Sequence, residues 1–207
     1  MQTPNERMLE AVNNGSAQDV GRALAEGAEV NFKFPVEYLT CTALGFALSR
    51  GDVSIVQCLL RWGADCEIQN LVPGRNNTRI CANALVQTIE TRQAFLFYIL
   101  IHGGANYYAR DYLYDLQLAG SSDEIKGMTS SLAIQLASDG MRSLKEYHDP
   151  DVRIPKMHMF NKRRAEMFPA KGAAQTAFFS IEAPTAPQST AAQPAAEGAA
   201  RSIPTLL

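Results

Sequence analysis

The residues of this chain best suited to metal binding or nucleophilic catalysis are its cysteines and histidines. The thiols are Cys41, Cys58, Cys66 and Cys81, and the imidazoles are His102, His148 and His158. No two cysteines form the C-x-x-C pair of a zinc site, and no two histidines form the H-E-x-x-H pair of a zinc protease. We therefore expect reduced, partly buried thiols and neither a bound metal nor a cofactor.

Sequence motifs for catalysis are missing as well. The chain has no G-x-S-x-G nucleophile elbow, no Walker phosphate loop and no G-x-G-x-x-G dinucleotide loop. An enzyme with a cryptic site after residue 140 is the alternative, but that region offers no clustered acids, bases or metal ligands. The sequence therefore predicts a protein that is not an enzyme.

Composition places these residues in a chain of 207 residues that is 46% hydrophobic, long enough for one domain with some chain to spare. A formal net charge of −2 gives no general attraction for nucleic acid or anionic membrane. Residues 1–15 contain no apolar signal-peptide core, and the longest apolar run, 94–101, is too short to span a bilayer. We expect a cytoplasmic protein.

A short sequence phrase occurs three times, and its spacing indicates how the chain is organised into helices. Residues 23–29 read ALAEGAE, residues 59–65 read LLRWGAD and residues 100–106 read LIHGGAN. When the glycines of the phrase are aligned, an apolar residue falls at the same distance before each of them. The aligned residues are Met8 with Gly27, Leu44 with Gly63, and Leu85 with Gly104. Such internal self-similarity predicts a repeat protein.

Each repeat has the pattern of two short helices. In the second repeat the apolar spacing predicts helices over 42–49 and 53–61, separated by Gly51-Asp52. Asp52 is expected to accept backbone N–H bonds at the start of the second helix, and the repeat glycine to end it in a left-handed conformation. Arg92-Gln93 stands in this place in the third repeat and is poorer turn chemistry. Helices this short need neighbouring units to be stable.

The second repeat resembles the ankyrin family. Residues 42–47, TALGFA, are similar to the T-P-L-H-x-A helix start of that family, and residues 49–65 are similar to its second helix and turn. The chain departs from the motif at Ala43 and Gly45, which replace its Pro and His. The resemblance implies an all-α solenoid of stacked helix-turn-helix units with β-hairpin-type fingers. It also implies a non-enzymatic module for protein–protein interaction.

The resemblance covers about residues 5–140. We expect units at about 5–39, 40–80 and 81–110, followed by a degenerate capping repeat at 111–140. In the capping repeat, Leu116 takes the anchor position and Gln135 replaces the terminal glycine. Capping repeats are atypical because their outer face contacts water instead of a further unit.

The connections after the repeated phrase are longer than a unit of roughly 33 residues requires. In ankyrin folds this connection is a projecting finger, and here it is rich in aromatic and arginine residues, which are favoured at interfaces. The candidate partner-binding residues are Phe34, Tyr38, Arg75, Asn76, Arg79, Tyr108, Arg110 and Tyr112. Further candidates on the concave face are Gly45, Ser49 and Gln87. The alternative for each aromatic residue is packing between neighbouring fingers.

Two segments follow the repeats. The segment 141–171 has a sequence compatible with a helix and is basic between residues 153 and 171, where Glu166 is the single carboxylate. It fits three interpretations: a helix docked on the end of the repeats, a linear peptide for a partner, or a patch for nucleic acid or membrane. Residues 172–207 are rich in Ala and Pro without apolar periodicity, so we expect a disordered tail.

The motifs and the resemblance lead to one functional prediction with two alternatives. The prediction is a monomeric adaptor, inhibitor or targeting subunit that binds a partner protein through its fingers and concave face. The first alternative is an ankyrin-type effector that an intracellular bacterium delivers into the host cytosol. The second is a binder of nucleic acid or anionic membrane through residues 153–171, whose affinity would depend steeply on salt. We expect neither nucleic acid nor membrane to be the main partner.

Overall fold

Helix pairs joined by tight turns make up most of the described chain. The computed structural model describes residues 2–36, 39–73 and 78–167. The four pairs are α1 (Pro4–Asn13) with α2 (Ala17–Ala25), α3 (Ala43–Arg50) with α4 (Val53–Arg61), α5 (Ala84–Thr91) with α6 (Ala94–His102), and α7 (Tyr112–Ala119) with α8 (Asp123–Ser138). A short helix, α9 (Leu144–His148), and a longer one, α10 (Pro150–Met167), follow. The prediction of a mainly helical chain is confirmed.

Polar N-caps determine where the first helix of a pair begins. At the start of α3 the Thr42 hydroxyl accepts the Gly45 N–H at 3.2 Å, which satisfies one of the backbone donors that a helix start leaves without a partner. Asp52 is expected to do the same for α4, and this prediction is wrong. Its carboxylate accepts from Arg50 Nε at 2.8 Å and makes no capping bond.

Left-handed glycines end the second helix of each repeated pair. Gly27, Gly63 and Gly104 have φ angles of 101°, 78° and 91°, which glycine adopts without a side-chain penalty. The prediction that the repeated phrase ends a helix is therefore confirmed. Between the two helices of the third pair, Arg92 takes the left-handed conformation, with φ of 56°, where the second pair has Gly51. A side chain at this φ is strained, in line with the poorer turn chemistry of the third repeat.

Neighbouring pairs pack helix on helix and build one core. Helix α3 contacts α1 and α5, α4 contacts α2 and α6, and the contacts α5–α7 and α6–α8 continue the series. The anchor residues Met8, Leu44 and Leu85 are buried in a single cluster of apolar side chains. Because each short helix is buried against the next pair, the stacking supplies the stability that an isolated helix of this length lacks.

Two antiparallel hairpins connect the first three pairs. Strand β1 (Lys33–Val36) pairs with β2 (Leu39–Thr42), and β3 (Asn70–Pro73) pairs with β4 (Arg79–Ala82). Strand β2 also contacts β3, so the two hairpins are neighbours. They lie where the first two fingers are predicted. The third connection, 103–111, is described in full and contains no strand, so the prediction of a third hairpin-type finger is wrong.

The capping repeat departs from its predicted frame. Helix α7 begins at Tyr112, and the buried Leu113 is its second residue, as Leu44 is in α3. The anchor therefore lies three residues before Leu116, and the prediction of Leu116 is wrong. Helix α8 runs through Gln135, the position predicted to replace the terminal glycine, and is followed by a left-handed Gly140 with φ of 77°. The helix is 16 residues long, against 9 in α4, because no glycine stops it earlier.

The basic segment forms a helix that packs on the end of the repeats. Asn161 of α10 accepts a hydrogen bond from Asn106 Nδ2 at 2.8 Å, and Phe160 lies against the ring of Tyr107. Of the three interpretations of this segment, the structure supports the docked helix. Residues 168–207, which include the predicted disordered tail at 172–207, lie outside the described residues.

Candidate partner-binding surface

The first helices present a row of equivalent positions. Gly45, Val86 and Tyr114 are the residues whose N–H groups are bound by the N-cap side chains of α3, α5 and α7. They therefore hold the same place in three neighbouring helices, and the residue one turn later lies on the same face. Those residues are Ser49, Glu90 and Leu118. We call these six positions the first-helix row; together with the hairpins it forms the candidate surface.

Gly45 joins the first-helix row to the second hairpin. Asn70 of β3 lies over Gly45, and its Oδ1 accepts the Thr42 N–H at 2.8 Å. A Cβ on Gly45 would lie 2.7 Å from Asn70 Nδ2, which is closer than side-chain atoms pack. The position of Asn70 therefore requires glycine here, and the hairpin is held against the start of α3.

Gln87 links α3 to α5 from inside the fold. Its Nε2 donates to the Gly45 carbonyl and to the Ser49 hydroxyl, each at 2.8 Å, and the residue is buried. The prediction that Gln87 contributes to a partner surface is therefore wrong, because both amide donors are used within the protein. Ser49 is exposed and stays a candidate.

The described parts of the two hairpins are basic. They carry Lys33 and Arg79 and no carboxylate. Lys33 Nζ donates to the Gln69 carbonyl at 3.1 Å, which ties the first hairpin to the connection before the second. Arg79 lies on β4 with an exposed side chain. A partner that contacts these described strands therefore meets positive charge.

Three predicted contact residues are buried instead of facing a partner. Phe34 is 3% exposed, Tyr108 is 2% exposed and Tyr112 is 0% exposed. Phe34 packs edge-to-face on Phe32, with ring centroids 5.0 Å apart. Aromatic rings gain free energy by leaving water, and here packing within the chain achieves this without a partner. The assignment of these three residues to partner contact is wrong.

A single carboxylate holds Tyr107 and Tyr108. Both hydroxyls donate to Asp139 Oδ2, at 2.6 and 2.7 Å. Burial first, and then the hydrogen bond to Asp139, raises the pKa of both phenols, so both remain protonated donors at neutral pH. Nearby, the Tyr112 hydroxyl accepts from Asn83 Nδ2 at 2.7 Å. The third connection is thus folded onto the protein and does not form a finger.

Two predicted contact residues remain exposed. Arg79 lies on the second hairpin, and Arg110 on the third connection. Arg110 Nη2 donates to Asp115 Oδ1 at 2.7 Å; its side chain is 51% exposed, whereas that of Asp115 is 14% exposed. Burial raises the pKa of the Asp115 carboxyl, and the Arg110 guanidinium opposes that shift. The predicted residues outside the described part of the chain are Tyr38, Arg75 and Asn76.

The predicted contact set lacks an exposed pair on α7. Tyr114 is 55% exposed and Leu118 is 65% exposed, and both belong to the first-helix row. The helical spacing of residues 112–119 could have identified this exposed pair from the sequence. Leu113 and Leu116 take the buried face of α7, which directs Tyr114 and Leu118 outward.

The thiols are placed much as the sequence predicts. All four cysteines are free; Cys41 and Cys66 are buried and Cys58 is half-buried. Burial raises the pKa of the Cys41 and Cys58 thiols, which makes them poor nucleophiles. Cys81 on β4 is exposed, so the prediction of a partly buried thiol is wrong there.

Neither a metal centre nor a membrane span is found in the part of the chain that the structure describes. In residues 2–36, 39–73 and 78–167 no three His, Cys, Asp or Glu side chains are grouped to hold a metal ion. His148 Nδ1 lies 2.6 Å from Asp111 Oδ2, where it joins α9 to the start of α7. Of the described helices, none combines the length and the apolar character needed to cross a bilayer.

Comparison with known families matches the second helix pair. Residues 41–71 fit a family model described as the ankyrin repeat. The matched segment runs from β2 through α3 and α4 into β3, and it includes Gly45, Gly51 and Gly63. No curated protein matches the chain. The match therefore rests on the repeat whose sequence also has the clearest turn glycines.

Proposed function

We propose that this chain, which is an ankyrin-repeat protein, is a non-enzymatic adaptor, inhibitor or targeting subunit that binds another protein. Ankyrin repeats generally mediate protein–protein interaction and are generally not catalytic. We extend the matched repeat to a solenoid with units at about 5–39, 40–80 and 81–110 and a cap at 111–140. The contacts of each helix pair with the next support this extension.

The exposed pair Tyr114 and Leu118 is the observation that carries the proposal. Each side chain is more than half exposed, and the two stand one turn apart on a first helix. Fully burying a large apolar side chain contributes about 1.5–3 kcal/mol, so a partner that covers both gains appreciable free energy. The half-buried Val86 extends the same row toward α3.

The chemistry of the surface indicates what the partner presents. Lys33 and Arg79 favour carboxylates opposite the hairpins, and Tyr114 with Leu118 favours an apolar anchor opposite α7. Charge complementarity of this kind mainly raises the association rate, whereas the buried apolar contacts mainly slow dissociation. Binding to the partner is therefore expected to weaken with added salt without being abolished.

The test compares two double variants with similar losses of exposed apolar area. One carries Tyr114→Ala with Leu118→Ala on the first-helix row. The matched control carries Phe95→Ala with Tyr98→Ala on α6, where the side chains are 61% and 47% exposed. Partners captured from native cytosol and identified by mass spectrometry should be lost by the row variant and kept by the control. A row variant that is folded by circular dichroism and retains every partner would show that this surface is not the binding site.

The two alternatives from the sequence receive no added support. Arg153 Nη1 lies 3.7 Å from Asp111 Oδ2, and Lys156 Nζ donates to the Asp139 carbonyl at 2.8 Å. Two cations of the basic segment are thus engaged by the protein itself, which weakens the case for nucleic acid or membrane. The effector alternative stays a prediction that a translocation assay tests.

A further inference from the structure

Helix α10 lies on the third connection through an aromatic contact. The ring of Phe160 meets the rings of Tyr107 and Tyr108 edge-to-face, with centroids 5.2 and 6.3 Å apart. Such pairs add about 0.5–1.5 kcal/mol beyond the area that they bury. Phe160 therefore anchors α10 to the platform formed by Tyr107 and Tyr108, of which Tyr108 is a predicted partner-binding residue.

Two polar side chains of α10 flank this anchor. Asn161 Oδ1 accepts from Asn106 Nδ2 at 2.8 Å. Lys156 Nζ donates to the Asp139 carbonyl at 2.8 Å, at the C-terminal end of α8, where the helix dipole favours a cation. The surface thus selects a helix with a basic residue, then an aromatic residue one turn later, then a side-chain acceptor beside it.

Burial distinguishes α10 from the helix before it. Tyr147 of α9 is 0% exposed, and its hydroxyl lies 2.8 Å from the Arg110 carbonyl oxygen and accepts the Tyr112 N–H at 3.4 Å. None of the described α10 side chains, 150–163, is buried; even Phe160 is only half-buried. A helix that buries no side chain fully opens at lower free energy than the core does.

The hydrogen bonds that hold Tyr107, Tyr108 and the Asn106 backbone do not involve α10. The hydroxyls of Tyr107 and Tyr108 both donate to Asp139, and the Asn106 N–H donates to Glu67 Oε1 at 2.9 Å. When α10 leaves, Asn106 Nδ2 loses its acceptor and the Asp139 carbonyl loses its donor Lys156, and both groups can bind water instead. Removing α10 therefore uncovers an ordered surface.

The link between α9 and α10 allows such movement. Asp149 is the single residue between them, and it is extended, with ψ of 113°. Pro155 inside α10 removes one helical hydrogen bond and further lowers the stability of that helix. The buried Tyr147 holds α9 in place while α10 leaves.

We propose that Asn106, Tyr107, Tyr108 and Asp139 form a docking surface for a basic helix with an aromatic anchor. Helix α10 occupies this surface in cis, and a partner helix with the same contact residues occupies it once α10 detaches. The cis occupant shows the chemistry that fits the surface. The proposal uses none of the six positions of the first-helix row, so it stands or falls independently of the proposed function.

Competition between α10 and a free helix determines how tightly the free helix binds the docking surface. A helix tethered by one residue has an effective concentration of the order of millimolar, so a free helix at micromolar concentration competes poorly with it. Weakening the contacts of α10 should therefore open the surface to a free peptide. The apparent affinity for the free peptide equals the intrinsic affinity multiplied by the fraction of chains in which α10 has detached.

The experiment measures binding of a fluorescent peptide of residues 150–167 to full chains by anisotropy. The inner variant carries Lys156→Ala, Phe160→Ala and Asn161→Ala, which remove the contacts of α10 with the surface and leave the contact of Arg153 with Asp111 in place. The matched outer variant carries Ile154→Ala, His158→Ala and Met159→Ala, whose side chains are exposed. The inner variant should bind the peptide at least about tenfold more tightly than the wild type or the outer variant. A peptide carrying Phe160→Ala, of unchanged charge, should not bind.

Three outcomes would overturn the proposal. The first is an inner variant that binds the peptide no better than the outer variant does. The second is a wild-type dimer that the inner variant cannot form, because α10 would then lie on a second copy. The third comes from hydrogen exchange in the wild type and needs no variant: α10 should exchange at least about tenfold faster than α6 if it detaches separately. Equal protection of the two helices would make α10 part of the cooperative core.

Discussion

The second and third helix pairs have similar helices and turns but connect onward in different ways. After α4 the chain forms a hairpin, and Asn70 of that hairpin lies over Gly45. After α6 the chain forms turns, and its two tyrosines are buried against Asp139. Val86 takes the place of Gly45 in the third pair, so a side chain like Asn70 has no room there. An aromatic-rich connection is therefore not by itself a partner surface.

The connections differ because later segments of the chain cover the third connection. The first two connections contact each other and the first helices, and Glu67 of the second also accepts the Asn106 N–H of the third. The third connection additionally meets α8, α9 and α10. Tyr147 reaches into it, and Phe160 lies on its tyrosines. Helices α8, α9 and α10 thus pack the third connection against the fold.

The largest expected effect comes from removing the side chain that covers the third connection. Tyr147→Ala deletes a fully buried ring and the hydroxyl beside the Arg110 carbonyl. The free energy of unfolding in urea should fall by about 3–5 kcal/mol, because a cavity opens and buried polar groups lose their partner. The matched control is Tyr114→Ala, an exposed tyrosine whose loss should change stability by no more than about 0.5 kcal/mol.

The conservative variant separates the ring from its hydroxyl. Tyr147→Phe keeps the packing and should cost about 1–3 kcal/mol, the penalty for the groups left without a partner. If Tyr147→Ala were no worse than Tyr147→Phe, the ring would contribute nothing. In that case the burial of the third connection would have to come from other contacts.

The next largest effect concerns the second connection, where Asn70 lies over Gly45. Gly45→Ala puts a Cβ 2.7 Å from Asn70 Nδ2 and should push Asn70 off the Thr42 N–H. We expect a loss of about 1–3 kcal/mol from this overpacking, measured by urea unfolding. Gly127→Ala is the control, since its Cβ would meet Ala94 at an ordinary 3.8 Å and alanine favours a helix by about 1 kcal/mol.

A double variant assigns the Gly45→Ala loss to the correct contact. Asn70→Ala removes the side chain that Gly45 accommodates. On that background Gly45→Ala should no longer destabilise the protein, so the two changes should be strongly non-additive. Additive losses would mean that Gly45 is required for some reason other than Asn70.

The helix ends and the turn of the second pair could be predicted because residues close in the sequence determine them. The cap at Thr42, the turn at Gly51 and the helix end at Gly63 each follow from residue type and spacing. Asp52 shows the limit of such rules. Its carboxylate is a good cap in isolation, but Arg50 lies close enough to bind it instead.

The candidate site was harder to predict because exposure is a property of the whole fold. Phe34, Tyr108 and Tyr112 are of residue types favoured at interfaces, yet all three are buried. The partners of Tyr108 and Tyr112 come from segments distant in the sequence. Tyr108, for example, is held by Asp139. The pair Tyr114 and Leu118 could be found from the spacing of α7 alone, since amphipathic spacing is local.

A smaller effect tests the turn that differs between the two pairs. Arg92→Gly gives the third pair the glycine that the second pair has at Gly51. The left-handed conformation costs a non-glycine residue about 1–2 kcal/mol, part of which is offset by the greater entropy of glycine when unfolded. The variant should therefore gain about 0.5–1 kcal/mol in urea unfolding. Gly51→Ala should lose stability, and a loss on Arg92→Gly would show that the Arg92 side chain makes a contact worth more than the strain.

The smallest effect concerns how Arg110 of the third connection is held on α7. Burial raises the pKa of the Asp115 carboxyl, so its contribution to stability is present at low pH and is lost as pH rises above about 4 and through the raised pKa. Asp115→Asn should remove that loss, so this variant should gain stability relative to the wild type between pH 4 and 7 at constant ionic strength. Arg110→Ala should steepen the loss, since the guanidinium opposes the shift. Parallel pH profiles for wild type and Asp115→Asn would mean that the Asp115 carboxylate is solvated and does not hold Arg110 on α7.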